Sequence, residues 1–166
     1  MSVYKTGLKE YLERNLNDLF SFSFCLLPDE LQAQQLLLDA LSIFVASEKD
    51  LILEFETTED PGRKLSLMKV LRKSIMRAVY HMAAKRSRQL QSTLSPHENT
   101  SDVFFHLGIS QRAVLYLKHK LNFDFSEIEH ILGKASPEVM GILSQGRVRL
   151  AQLWGQDFLP KFHQEL

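Results

Sequence analysis

The chain has one cysteine in 166 residues, one tryptophan, seven glycines and five prolines. It has no excess charge of either sign, because 20 Lys and Arg balance 20 Asp and Glu. A single thiol excludes an internal disulfide and any paired-cysteine zinc motif. Cys25 sits among Phe22, Phe24, Leu26 and Leu27, and reads as a buried, inert thiol in a reducing compartment. Zero net charge excludes a uniformly basic nucleic-acid binder, although balanced totals conceal local segregation. No apolar run reaches the roughly 20 residues needed to cross a bilayer, and no signal-type apolar segment opens the chain. The expected location is the cytoplasm, with no membrane partner.

Catalytic signatures are missing as well. There is no Gly-rich phosphate loop, nucleophile elbow or HExxH motif. His81, His97, His106, His119, His130 and His163 show no paired ligand spacing. Glu127 and Glu129 read as the exposed face of a helix. The expectation is therefore a protein without enzymatic activity, cofactor, metal or small-molecule substrate, working by binding other macromolecules.

With 45% apolar residues, the composition is that of a folded chain, and the apolar periodicity is helical throughout. Leu8, Tyr11, Leu12, Leu16, Leu19, Phe20 and Phe24 recur at steps of three and four, which predicts a first helix over 8–27. Pro28-Asp29-Glu30 breaks the chain and supplies acidic first-turn residues for a second helix through Leu31, Leu36, Leu37, Ala40, Leu41, Phe44 and Val45. An acidic, partly irregular stretch closes at Asp60-Pro61-Gly62. A third helix follows through Leu65, Met68, Val70, Leu71, Ile75, Ala78, Val79 and Met82. The segment QSTLSPHENTS then reads as a linker. Beyond it come helical patterns over 104–121, 126–132 and 137–154. The predicted fold is all-α: two small helical domains, 1–91 and 102–166, joined by a linker over 92–101, the C-terminal one a helix-turn-helix.

Two constellations stand out. In SEIEHILGKASPEVMGILSQGRVRL, Gly133 can take the left-handed turn conformation, Ser136 can cap orphan amides, and Pro137 is tolerated at the first helical position. This is helix-turn-helix punctuation, which an ordinary helical hairpin shares. Glu129, Gly141 and Gly146 are expected to weaken or distort it, each helical glycine costing about 1 kcal/mol relative to Ala. The second constellation is the stretch from Pro61 to His97. It contains no acidic residue but carries Arg63, Lys64, Lys69, Arg72, Lys73, Arg77, Lys85, Arg86 and Arg88, with Tyr80 and His81 placed on the surface or flank. Such a helix can lie along a phosphate backbone and release counterions. A solvated face or an acidic protein partner would use the same charges.

In the order of these parts the chain resembles the small extracytoplasmic-function-type sigma factors of bacterial RNA polymerase. SQRAVLYLKHKLNFDFSEIEHILGKASPEVMGILSQGRVRL resembles the promoter-element-reading region four of that family. PDELQAQQLLLDALSIF looks like its polymerase-clamp-binding helix, and LMKVLRKSIMRAVYHMAAKRSRQL like the helix that reads and opens the melted promoter. The resemblance implies a transcription protein with RNA polymerase core or an anti-sigma-like protein as partner, and DNA held mainly through phosphates. It assigns DNA contact to Arg72, Lys73, Arg77, Lys85, Arg86 and Arg88 on the basic helix, and to Lys134, Ser136, Arg147 and Arg149 in the C-terminal domain. It assigns protein contact to Gln35, Leu38 and Asp39. Glu138, Met140, Ile142 and Gln145 occupy positions where the family offers a threonine and several basic residues. A carboxylate repels phosphate, and Met or Ile cannot donate the hydrogen bonds that distinguish base edges, so promoter reading is expected to be degraded. The alternative is a sigma mimic that binds a protein and no promoter.

Overall fold

The computed structural model describes residues 7–90 and 103–162, with side chains to 154. Among them it shows seven α-helices, one 3-10 turn and no strand. Close packing divides the chain into two units with the boundary after Ala83. The predicted linker over 92–101 lies outside the described residues.

The first unit is built from α1 (Leu8–Leu26), α2 (Glu30–Ser47), α3 (Lys49–Thr57) and the start of α4 (Pro61–Leu90). Asp29 ends the Pro28 break by accepting a hydrogen bond from the Gln32 amide at 2.9 Å, the N-cap that starts α2. α1 and α2 pack into a hairpin whose core is Leu19, Phe22, Leu26, Leu36, Ala40 and Phe44. Cys25 is buried there, bound in no disulfide.

The acidic stretch before Pro61 is more ordered than the sequence predicts. It forms α3, whose Phe55 is wholly buried and meets the Tyr11 ring edge-on at 5.8 Å. Four helices therefore enclose this core, not three.

Lys64 departs furthest from its predicted place. It is 2% exposed, with its ammonium 4.0 Å above the Phe55 ring and donating to the Phe55 carbonyl. That carbonyl belongs to the last turn of α3, where helix carbonyls lack intrahelical partners and a cation is favoured. Lys64 is thus a clasp between α3 and α4, not part of a basic surface. Its neighbour Arg63 pairs with Glu54 of α3 at 2.5 Å.

The second unit contains the 3-10 turn Val103–His106, α5 (Ile109–His119), α6 (Phe125–Leu132) and α7 (Ser136–Phe162). The pattern over 104–121 is thus split. Arg112, nearly buried on α5, ties the two pieces by donating to the Leu107 carbonyl. Asn122 takes a left-handed φ of 56°, which Asn tolerates better than most residues. Asp124 then caps α6 in a capping box with Glu127, at 2.8 and 2.9 Å.

Gly133 closes α6 with φ 66°, as the turn requires. The expected distortion is absent: α6 and α7 are both regular, and Glu129 is only partly covered. Ser136 is not the cap. The Ala135 carbonyl accepts the first α7 bond from Val139 at 3.0 Å, which places Ser136 one residue inside the helix.

The two α7 glycines differ. A Cβ on Gly146 would meet Leu115 Cδ1 at 3.3 Å and Gln111 Cβ at 3.4 Å, so Gly146 is where α5 and α7 approach closely. A Cβ on Gly141 meets nothing within 4 Å. Gly141→Ala is expected to raise stability by about 1 kcal/mol, while Gly146→Ala gains nothing because crowding offsets the helix propensity. Thermal melts of the two variants check this. Equal stabilisation would contradict the close approach.

Candidate nucleic-acid interface

α4 runs unbroken for 30 residues and carries no acid. Its buried side begins with Lys64, Leu67, Leu71 and Ile75, and continues through Met76, Val79, Tyr80 and Ala83. Tyr80, expected at the surface, is 4% exposed; its ring joins the core, with His81 beside it at 5.3 Å.

The burial of one side sorts the basic residues. Lys73, Arg77, His81, Lys85 and Arg88 follow one another at steps of four, four, four and three, which aligns them in a single ridge. His81, Lys85 and Arg88 are exposed, and Lys73 and Arg77 are partly so. From Lys73 to Arg88 the ridge spans about 22 Å at 1.5 Å per residue. Lys73, Lys85 and Arg88 have no acidic partner among the described residues.

Arg72 and Arg86 do not join it. Each lies seven residues from Val79, on the side of α4 that carries that buried residue. Arg72 stands 3.8 Å from Asp18 of α1. The sequence grouped six cations as DNA contacts; the helix brings four of them onto one ridge with His81. His81 joins the ridge through its spacing of four from both Arg77 and Lys85, a signal present in the sequence.

The other predicted contacts lie in the second unit. Lys134 pairs with Glu138 at 3.0 Å, so the acid at the start of α7 partly neutralises it. Ser136 is exposed in the first turn of α7. Arg147 is exposed, with one guanidinium nitrogen 3.2 Å from His119 Nε2, and Arg149 is exposed.

Of the four positions expected to read bases, Ile142 is partly buried, Glu138 is tied to Lys134, and Gln145 is exposed. Met140 is 54% exposed. It heads a row with Arg147, Ala151 and Trp154, seven, eleven and fourteen residues on, Trp154 being 55% exposed. This row has one strong hydrogen-bond donor, Arg147, among apolar side chains.

The predicted protein-contact residues lie together on α2. Gln35 donates to Asp39 at 2.9 Å, and Leu38 is 60% exposed. Leu38 is thus a surface residue and has not been drawn into the core. Leu31 and Val45 stand seven residues to either side of it, both exposed, so the outer face of α2 carries an apolar row.

Among the described residues, no group of three His, Cys, Asp or Glu gathers that could hold a metal, and no helix is long and apolar enough to cross a membrane. No protein-family model matches the chain. No curated protein matches it. Among solved structures, the chain is similar to the sigma factor RpoE in its complex with the anti-sigma factor NepR from Bartonella quintana. The TM-score is 0.53 at 24% identity, covering 87% of this chain and 94% of that one. The likeness is one of fold: the chain is all-α in the manner of that sigma factor.

Proposed function

We propose that this protein is a sigma-factor-like transcription protein of the cytoplasm that holds DNA through phosphates and engages RNA polymerase core or an anti-sigma-like protein, with degraded promoter reading. The observation that carries the reading is the ridge of Lys73, Arg77, His81, Lys85 and Arg88 on an acid-free helix. Phosphate contacts position a protein on nucleic acid without informing it of sequence, and of the four α7 positions matched to base reading, Glu138, Met140, Ile142 and Gln145, only Gln145 carries a donor that could add that information.

The test is fluorescence anisotropy of the full chain with unrelated DNA oligonucleotides over a series of salt concentrations. Four ridge cations predict a log–log slope of roughly −3 to −4, nearly the same for every sequence. A slope near zero would contradict the reading.

A second reading, a sigma mimic that binds a protein and no promoter, is favoured by the exposed row Leu31, Leu38 and Val45 on α2. Affinity capture with the wild-type chain and a Leu38→Asp variant separates the two. Under the first reading, polymerase subunits are recovered with the wild type.

A further inference from the structure

We propose that His119 at the end of α5 is a positioning residue, which presents the Arg147 guanidinium of α7 to a nucleic-acid phosphate. The contact uses none of the α4 ridge residues. It rests on the reading that this protein holds DNA through phosphates.

The cations of α5, α6 and α7 sort by what holds them. Arg112 is buried and donates to the Leu107 carbonyl, Lys118 lies 4.6 Å over the Phe125 ring, and Lys134 pairs with Glu138. Arg147 is exposed, and among the described residues its guanidinium meets no acid; it meets His119 Nε2 at 3.2 Å. Arg149, two residues on, faces another side of α7. A place at the C-terminal end of α5 favours a positive or donor-bearing group at His119 whatever else it does. No helix end accounts for Arg147, which stands well inside α7.

The chemistry of the pair fixes its direction. Arginine has donors and no acceptor, so the bond forms with His119 Nε2 offering its lone pair and the ring proton on Nδ1. A carboxylate in that place would hold the guanidinium equally well but cancel its charge. A neutral imidazole holds it and leaves the charge intact. The bond uses one of the five N–H donors and orients the planar fork, and the other donors stay available for the two-point contact that arginine makes with phosphate. Ordering a long side chain before it binds lowers the cost of ordering it on binding.

The experiment measures anisotropy of the full chain with unrelated DNA oligonucleotides over a salt series at pH 8, above the usual imidazole range. Arg147→Ala is expected to weaken binding roughly tenfold at 0.1 M salt and to lower the log–log slope by about 1, the loss of one phosphate contact. His119→Ala is expected to weaken binding roughly threefold with the slope unchanged, because the charge stays and only its order is lost. His119→Gln offers a side-chain oxygen to the same guanidinium and is expected to restore wild-type affinity. In the Arg147→Ala background, His119→Ala is expected to have no further effect. The proposal is overturned if Arg147→Ala or His119→Ala binds like the wild type, if His119→Ala lowers the slope or persists undiminished in the Arg147→Ala background, or if His119→Gln binds no better than His119→Ala. If the wild-type chain shows no salt-dependent binding at all, the phosphate reading beneath the proposal falls with it, which separates the two failures.

Discussion

Reversing Lys73, Lys85 and Arg88 to Glu together is expected to lower affinity for duplex and single-stranded DNA by roughly a hundred- to a thousandfold at 0.1 M salt, with the salt slope falling by about 3. Each phosphate neutralised at low salt releases most of a counterion, so each lost contact removes close to a decade. The three residues were chosen by their place on the ridge. They have no acidic partner among the described residues, so reversal breaks no ion pair described there. Arg86→Glu, on the flank near buried Val79, should have a smaller effect on binding. If the triple variant binds as the wild type does, the ridge is a solvated face.

Lys64→Ala is expected to destabilise the first unit by about 3 kcal/mol, a fall in melting temperature on the order of 15 °C. The substitution removes the aliphatic stem from the core and strips the Phe55 carbonyl of its donor, leaving a buried acceptor at the end of α3. Lys64→Met keeps the apolar volume and loses only the charge and hydrogen bond, so its cost should be about half as large. Thermal denaturation of both variants decides it. A Lys64→Ala protein as stable as the wild type would mean that the ammonium contributes nothing to holding α3 on α4.

Much of the helical architecture was legible because apolar spacing survives where burial is one-sided. α1 and α2 begin and end within a residue or two of their predicted places. α3 was not legible: nine residues give only two and a half turns, and Phe55 is its one buried side chain amid acids. The basic stretch was legible as composition but not as a surface. Counting charges ignores the angle each makes around the helix axis, which is why Lys64 was grouped with Lys85. The signal was nonetheless present, since Lys64, Leu67, Leu71 and Ile75 step by three, four and four, and this row is wholly buried. Gly146 shows the opposite case. Its use depends on Leu115 and Gln111 of α5, a tertiary contact that no local pattern encodes. The apolar row on α2 lay midway, with Leu38 identified as a candidate and its alignment with Leu31 and Val45 given by the exposed face of the helix.

Under the proposed function, DNA is held by phosphates along α4 and not read by bases along α7. Its most direct test is repeated selection of the full chain against a randomised duplex pool at physiological salt. A good bidentate base contact supplies about 1–3 kcal/mol of discrimination, and where such contacts would be made α7 offers Met140, partly buried Ile142 and a Lys134-paired Glu138, leaving Gln145 as the one residue of the four able to make one. Recovery of bound DNA with no enriched motif is expected. Enrichment of a defined sequence, lost on substitution of α7 residues and kept in the Lys73, Lys85 and Arg88 variant, would contradict it.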